Sequence, residues 1–204
     1  IRLHHPVSRR EARARTVQLL ERMGVPDPAM AAKRYPHQLS GGLRQRAMIA
    51  MALSCTPALL IADEPTTALD VTVQAQILTL LREIREEGAG VMLITHDMGV
   101  VAQACTHVAV MYSGLVVENG PVRDVLDRPL HPYTQALLAA IPPLDGPRPE
   151  RLPTIPGQPP TPDNRPTGCV FAPRCSFVRP ECAVRPPLTE IEEGRRVACV
   201  LYAA

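Results

Sequence analysis

The chain has 204 residues and a formal net charge of +2, so its charge gives no reason to expect a nucleic-acid partner. Its 46% hydrophobic and 21% charged residues are ordinary for a globular protein with one core and an appendage. No apolar run approaches the roughly 20 residues of a membrane-spanning helix, and no signal peptide is recognisable. The sequence starts at Ile1 rather than Met, and we expect a fragment that lacks the N-terminal part of its domain.

Proline and cysteine are unevenly distributed along the chain. Of the 23 prolines, 16 follow Arg128, and four of the six cysteines lie at or beyond Cys169. Both shifts predict a domain boundary near residues 128–145.

The first two predicted helices are separated by a proline-containing loop. Ser8 and the acid three residues later predict a helix over 8–23. Further on, Leu39-Ser40-Gly41-Gly42-Leu43 opens a second helix, which ends before Pro57. Ser40 is a good N-cap, and the two glycines leave the first N–H groups of the helix uncovered, which favours an anion such as phosphate. The alternative is a plain capped helix with a glycine-rich entry.

The central feature of the sequence is an apolar run that ends in two acids. Residues 58–62 predict a strand that is buried on both faces of a parallel sheet, and Asp63 and Glu64 follow directly. Ligands of open α/β sheets bind beyond the carboxyl ends of the strands. One acid there can hold a metal ion and the other can act on water. The alternative is a strand that ends on an acid with no further role.

The following elements alternate as expected for an α/β fold. An amphipathic helix over 72–86 leads to a second buried strand over 91–95, which ends at His96. A short helix (98–104) and a hairpin (107–112 with 115–118) complete the series.

Four features occur in one order: the Ser40-Gly41-Gly42 corner, Asp63-Glu64, residues 68–70 (Ala-Leu-Asp) and His96. This order resembles the second half of an ABC-transporter ATPase domain. The resemblance implies a P-loop NTPase-like (RecA-like) α/β fold, with a parallel sheet, helices, part of an ABC helical subdomain and an irregular Cys/Pro-rich C-terminal extension. It divides the chain into the end of the helical subdomain with the signature loop (1–46), the second half of the ATPase core (47–128) and the extension (129–204).

The resemblance also implies roles in binding ATP and Mg²⁺. Asp63 would hold Mg²⁺ through water, Glu64 would orient or deprotonate the attacking water, and His96 would contact the γ-phosphate. The residues expected to contact the partner domain's nucleotide or the dimer interface are Ser40, Gly41, Gly42 and Leu43 of the signature loop and Asp70 of the D-loop.

The sequence departs from this family in one major respect. It contains no G-x-x-x-x-G-K-[S/T] loop, and its only lysine, Lys33, has no glycines before it. The Q-loop and the aromatic residue that stacks on adenine also lack a counterpart. We therefore expect this polypeptide alone to be inactive and to bind ATP weakly.

Residues 129–138, which include His131-Pro132-Tyr133, resemble the tail of ATPase subunits of oligopeptide, dipeptide and nickel importers. The resemblance implies a subunit that energises peptide transport on the cytoplasmic face of the inner membrane. Its partners would be a second ATPase subunit, two permease subunits and, through them, an external binding protein. A non-transport ABC ATPase and a truncated, non-catalytic metal-binding or interaction module remain as alternatives.

The tail cysteines predict a metal site with a structural role. Disulfides are disfavoured in a cytosolic ATPase, and four reduced structural thiols are the alternative. The spacing matches neither common zinc pairs nor ferredoxin runs, and a [4Fe–4S] cluster is weakly preferred over zinc. The expected ligands are Cys169, Cys175, Cys182 and Cys199.

Overall fold

A computed structural model describes residues 1–67, 69–142 and 153–202. The chain divides into two compact units, residues 1–100 and 101–204. This division differs from the boundaries expected from composition and resemblance, which remain a prediction.

The first unit alternates helices and strands. Its helices are α1 (Arg9–Arg22), α2 (Pro28–Ala31), α3 (Gly41–Leu53) and α4 (Val71–Glu86), with a 3-10 turn at Pro36–Gln38. Its strands, β1 (Leu59–Asp63) and β2 (Gly90–Ile94), pair in parallel, and α5 (Met98–Ala104) crosses the division between the units. The predicted helices and strands of this unit are therefore present, with shifts of one to three residues at their ends.

Helix α1 begins with the cap that its sequence predicts, and α4 begins one residue before its predicted start. Ser8 caps α1, accepting a hydrogen bond from the backbone N–H of Glu11 at 3.1 Å. Asp70 caps α4, accepting from the N–H of Val73 at 2.9 Å. Helix α4 then buries one stripe of side chains: Ile77, Leu78, Leu80, Leu81 and Ile84. This stripe repeats at helical spacing and confirms the predicted amphipathic helix.

The prediction that β1 is buried on both faces is wrong. Leu60 is buried, whereas Leu59 and Ile61 are 54% and 59% exposed. In the register of β1 with β2, Leu59, Ile61 and Met92 share one face, whereas helix α4 packs against β2. The apolar run indicated a strand correctly. Burial of its second face depends on what covers the sheet there, and a local apolar pattern carries no information about that.

The second unit is built on an antiparallel sheet. Its strands β3 (His107–Tyr112), β4 (Leu115–Pro121), β5 (Thr189–Glu192) and β6 (Arg195–Val197) are ordered β3-β4-β6-β5. Two short helices follow the hairpin, α6 (Val122–Asp127) and α7 (Pro132–Ala139). The tail also contains 3-10 turns at Pro162–Asn164, Ala172–Arg174 and Pro180–Ala183.

The hairpin between β3 and β4 confirms the expected antiparallel pair. Ser113 and Gly114 both have positive φ, at 48° and 78°, as a tight two-residue hairpin turn requires. Strand β4 is three residues longer than expected because its pairing with β3 continues to Pro121, opposite His107, and β6 pairs with its other edge at Glu118 and Asn119. Strand β6 therefore extends the sheet from a segment almost 80 residues further along the chain.

The core of the second unit combines the hairpin with the tail. It contains Val110, Tyr112, Val117, Val125, Val170 and Phe171. Phe171 is 2% exposed and lies edge-on to Tyr112, whereas Phe177 is 52% exposed. Only one of the two phenylalanines therefore serves the core. Of the segment predicted to be extended (142–167), residues 143–152 lie outside the described part.

A buried ion pair holds β6 to β4. The side chains of Glu118 and Arg195 are 0% and 1% exposed, and their charged atoms lie 3.3 Å apart. Glu118 also accepts the backbone N–H groups of Leu130 and His131, both at 2.9 Å, and Arg195 donates to the carbonyl of Arg128. These three donors offset the free-energy cost of burying the charged carboxylate of Glu118. This network therefore fixes the start of α7 against the sheet.

Candidate functional site

The ends of β1 and β2 bring the predicted catalytic residues together. The two strands are parallel, with Asp63 opposite Ile94, and the N–H of Glu64 donates to the carbonyl of Ile94 at 2.9 Å. This bond carries the pairing one residue beyond β1. His96 follows β2 by two residues, so the acids and the imidazole lie at the same edge of the sheet.

Glu64 and His96 are in direct contact. Nδ1 of His96 lies 2.9 Å from Oε1 of Glu64, and the Thr67 hydroxyl donates to Oε2 of Glu64 at 2.6 Å. Both carboxylate oxygens of Glu64 are thus occupied by partners that orient them. The backbone of Glu64 has φ +48°, which is uncommon for a side chain of this size. Strained backbone conformations of this kind cluster at functional sites.

The contacts of Glu64 change the pKa of both members of the pair. The hydrogen bond from Thr67, and then that from His96, lowers the pKa of Glu64. The hydrogen bond to Glu64 and its negative charge raise the pKa of His96. Both groups are solvent-accessible, so these shifts are screened. Their directions favour an ionised carboxylate beside a protonated imidazole.

Asp63 lies beside this pair with an open carboxylate. It is exposed on the same face of the sheet as Ile61 and Ile94, and its side chain makes no hydrogen bond within the described residues. An open carboxylate at a strand end suits Mg²⁺, which keeps most of its water and takes one or two protein carboxylates.

The Ser40-Gly41-Gly42 corner begins α3 as predicted. Ser40 is the N-cap, and its hydroxyl oxygen accepts from the N–H of Leu43 at 3.4 Å. Gly41 and Gly42 form the first two helical positions, so no larger side chain covers the positive end of this 13-residue helix. The predicted cap and glycine entry are therefore present, and anion binding at this corner stays a prediction.

The same corner packs against the start of α4. A Cβ atom placed on Gly42 would lie 2.9 Å from Cγ1 of Val73, and one on Gly41 would lie 3.9 Å from Leu69. Asp70, the predicted D-loop residue, has its carboxylate engaged as the cap of α4. Ala68 lies outside the described residues. Leu69 and Val73 thus place the start of α4 beside the Ser40-Gly41-Gly42 corner.

Two interactions, one within the site and one between the helices of the first unit, were not identified from the sequence. Thr67, which holds Glu64, was interpreted only as a loop residue, although a hydroxyl three residues after an acid in a tight turn can reach its carboxylate. Arg46 of α3 donates to the carbonyl of Met23 at 2.5 Å and to Oε1 of Gln76 at 2.5 Å. It links α3 to the end of α1 and to α4, a long-range contact without a local signal.

The tail cysteines do not form a site that fits a metal ion. Within residues 1–67, 69–142 and 153–202, no group of three or more His, Cys, Asp or Glu side chains is arranged to hold one. The four tail cysteines are reduced thiols, and the N–H of Cys169 donates to the carbonyl of Cys182 at 2.9 Å. Burial raises the pKa of Cys175 and of Cys199, with smaller contributions from neighbouring thiols.

The helices of the described residues are all too short or too polar to cross a membrane.

Comparisons with known proteins identify the class to which this fold and site belong. The family model described as ABC transporter matches residues 2–67, and the model described as oligopeptide/dipeptide transporter, C-terminal region, matches residues 117–182. The chain belongs to the ABC transporter family, and its tail matches the model of the oligopeptide/dipeptide transporter C-terminal region.

Among curated relatives, a protein of Brucella melitensis biotype 1 named as a peptide import ATP-binding protein is 52% identical over 200 residues. That match covers 98% of this chain and 60% of the relative. A protein of Brucella ovis with the same kind of name is 52% identical over 209 residues, which cover 99% of this chain and 62% of the relative. The chain thus spans about 60% of the length of the curated relatives it matches.

Solved structures support the same fold. An ATP-binding cassette, dimeric in a post-hydrolysis state with ADP and Pi, has a TM-score of 0.51 and 34% identity over 57% of this chain and 50% of that chain. A metal-chelate type ABC transporter in an inward-facing conformation has a TM-score of 0.52 and 27% identity over 61% of this chain and 47% of that chain.

Proposed function

We propose that this chain is part of the ATP-hydrolysing subunit of an ABC importer for oligopeptides or dipeptides. The observation that carries the proposal is the 2.9 Å contact between Glu64 and His96 at the ends of two parallel strands. The relatives named as peptide import proteins and the matched C-terminal region support the peptide assignment.

The residues at the strand ends suit phosphoryl transfer, in which positioning and charge neutralisation supply most of the catalysis. Glu64, ionised and held by Thr67, would accept a hydrogen bond from the attacking water. His96 would donate from its other ring nitrogen to the terminal phosphate, while Glu64 favours its protonated form. Asp63 would hold Mg²⁺ through water, and the ion would neutralise phosphate charge when bound.

The signature corner would serve the nucleotide held by a second ATPase subunit. An anion at this corner would meet the Ser40 hydroxyl and the positive end of α3, which Gly41 and Gly42 leave uncovered. The backbone N–H of Leu43 donates to the Ser40 side chain and completes the N-cap. Asp70 would lie at the dimer interface, where its role as the cap of α4 fixes the loop that follows Glu64.

We place the subunit on the cytoplasmic face of the inner membrane, bound to two permease subunits that receive cargo from an external binding protein. The division into residues 1–46, 47–128 and 129–204 belongs to this proposal. The matched C-terminal region, which begins at residue 117, supports a distinct tail.

A metal bound by the four tail cysteines is a separate proposal, supported by their number in the tail, although the described thiols are not arranged to hold one. Iron, sulfide and zinc analysis of anaerobically purified protein tests it. Stoichiometric metal would support it, and its absence would leave four reduced structural thiols.

The proposed activity is tested with Glu64→Gln in the assembled transporter, in a chain of the relatives' full length. We expect ATP hydrolysis to fall by at least about 100-fold, while nucleotide binding stays within about twofold of wild type. Glu190→Gln, an exposed acid in the tail, is the matched control and should hydrolyse ATP normally. Normal hydrolysis by Glu64→Gln would show that Glu64 is not the catalytic base.

A further inference from the structure

The second unit contains a cavity that the proposed ATPase reaction does not use. Its volume is about 380 Å³, and it is partly open to solvent. Leu115, Val117, Val170 and Leu188 contribute an aliphatic lining. Ligand cavities range from about 300 to 1,000 Å³, so this one matches a molecule the size of an amino acid or a dipeptide.

His131, from the His-Pro-Tyr sequence of the tail, lines this cavity with its imidazole ring. Its Nδ1 accepts the N–H of Tyr133 at 3.0 Å, so the proton of the neutral ring is on Nε2. Burial lowers the pKa of His131 to about 4, which keeps the ring neutral at pH 7 although Glu118 opposes the shift. The side chain is 1% exposed, and no described residue accepts a hydrogen bond from Nε2. Nε2 is not among the fully buried polar atoms that lack a partner, so a ligand or water in the cavity can accept its hydrogen bond.

Arg185 supplies a charged group at the same cavity. It is exposed, and within the described residues its guanidinium forms neither an ion pair nor a hydrogen bond. Most other charged groups near this part of the sheet are paired, as are Glu118 with Arg195 and Glu190 with Arg196. A guanidinium group matches the planar geometry of a carboxylate.

We propose that this cavity binds a small aliphatic carboxylate the size of an amino acid or dipeptide. The carboxylate pairs with Arg185, a carbonyl oxygen accepts the Nε2 proton of His131, and the aliphatic part contacts Val117, Val170 and Leu188. This site stands independently of the proposed ATPase activity, and it gives the tail histidine a function beyond capping α7.

Titration calorimetry of the full chain at pH 7 with the dipeptide Ala-Leu tests the proposal. A ligand of about 14 heavy atoms at a partly open site is expected to bind with a Kd on the order of 1 mM. The C-terminal amide of Ala-Leu lacks the carboxylate charge, and Gly-Gly lacks an aliphatic side chain. Both compounds should therefore bind at least about threefold more weakly than Ala-Leu.

The matched variants separate this cavity from nonspecific binding. Arg185→Gln should weaken the binding of Ala-Leu by about threefold to tenfold. Arg179→Gln removes another exposed tail arginine that does not line the cavity, and it should bind like wild type. Both replaced side chains are exposed, so both variants should retain the wild-type melting temperature.

A spectroscopic measurement locates the ligand without a substitution in the core. Ring ¹⁵N signals report on His131 in its neutral form, because its pKa of about 4 keeps the ring neutral at pH 5.5. We expect its Nε2 signal to move on addition of Ala-Leu. No heat and no shift at 10 mM ligand would overturn the proposal, as would equal binding of Ala-Leu by Arg185→Gln and wild type.

Discussion

At the scale of single residues, the pairing of Glu64 with His96 sets a pH window for their contact. The raised pKa of His96 means that its favourable contribution is complete below its ordinary value of 6.5 and is lost as pH rises through the raised pKa. The lowered pKa of Glu64 means that its contribution is complete above its ordinary value of 4.5 and is lost as pH falls through the lowered pKa. The contact is therefore strongest between about pH 4.5 and 6.5.

Glu64→Gln should lower the pKa of His96 toward its ordinary value, because it removes the negative charge that raises it. An NMR titration of the histidine ring in wild type and variant measures this directly. Thr67→Val is the matched companion: it removes the hydroxyl that lowers the pKa of Glu64, so the pKa of Glu64 should rise. A histidine pKa that Glu64→Gln leaves unchanged would contradict the contact.

The lowered pKa of His131 predicts that the free energy of unfolding depends on pH, with a sign opposite to that of the His96 contribution. Its folded pKa is about 4, so the unfolded chain binds more protons between about pH 6.5 and 4, and stability falls as pH falls through that range. The full effect is about 3 kcal/mol. Urea unfolding at pH 7 and pH 4.5 measures it. His131→Asn, which keeps an N-cap residue, should lose less stability between the two pH values than wild type.

At the scale of secondary structure elements, the close packing of α3 on α4 depends on Gly42. Alanine at either Gly41 or Gly42 gains helix propensity, but at Gly42 its Cβ would lie 2.9 Å from Val73. We expect Gly41→Ala to stabilise the chain by about 0.5–1 kcal/mol. Gly42→Ala should be less stable than Gly41→Ala by about 1–3 kcal/mol.

Urea unfolding of the two variants measures this difference, and their common alanine makes each the control for the other. Equal free energies of unfolding would show that α3 does not pack against α4 at Gly42.

The sequence predicted elements well where the signal is local. Helix α5 and strand β3 have the predicted bounds, and Ser8 and Ser40 each cap a helix as predicted. Prediction from the sequence failed for burial and strand pairing that depend on residues distant in the chain. The exposure of Ile61 depends on what covers its face of the sheet, and the pairing of β6 with β4 joins segments with no local sign of each other.

At the scale of the whole molecule, the site was partly predictable because ordered motifs constrain geometry. Asp63, Glu64 and His96 follow two strands, and parallel pairing brings the strand ends together. The contribution of Thr67 was missed because its hydroxyl reaches Glu64 only through the turn that the positive φ of Glu64 creates. The metal site predicted from four cysteines depended on residue count alone, and the described thiols are not arranged as metal ligands.

The central claim is that Glu64 and His96 act as one catalytic unit on the terminal phosphate of ATP. A double-mutant cycle on ATP hydrolysis by the assembled transporter, with Glu64→Gln, His96→Ala and the double variant, tests it most directly. Residues that act as a unit are strongly non-additive, so we expect the double variant to be no slower than the slower single variant, within about threefold. Independent effects, in which the fold losses of the two single variants multiply in the double variant, would contradict the account.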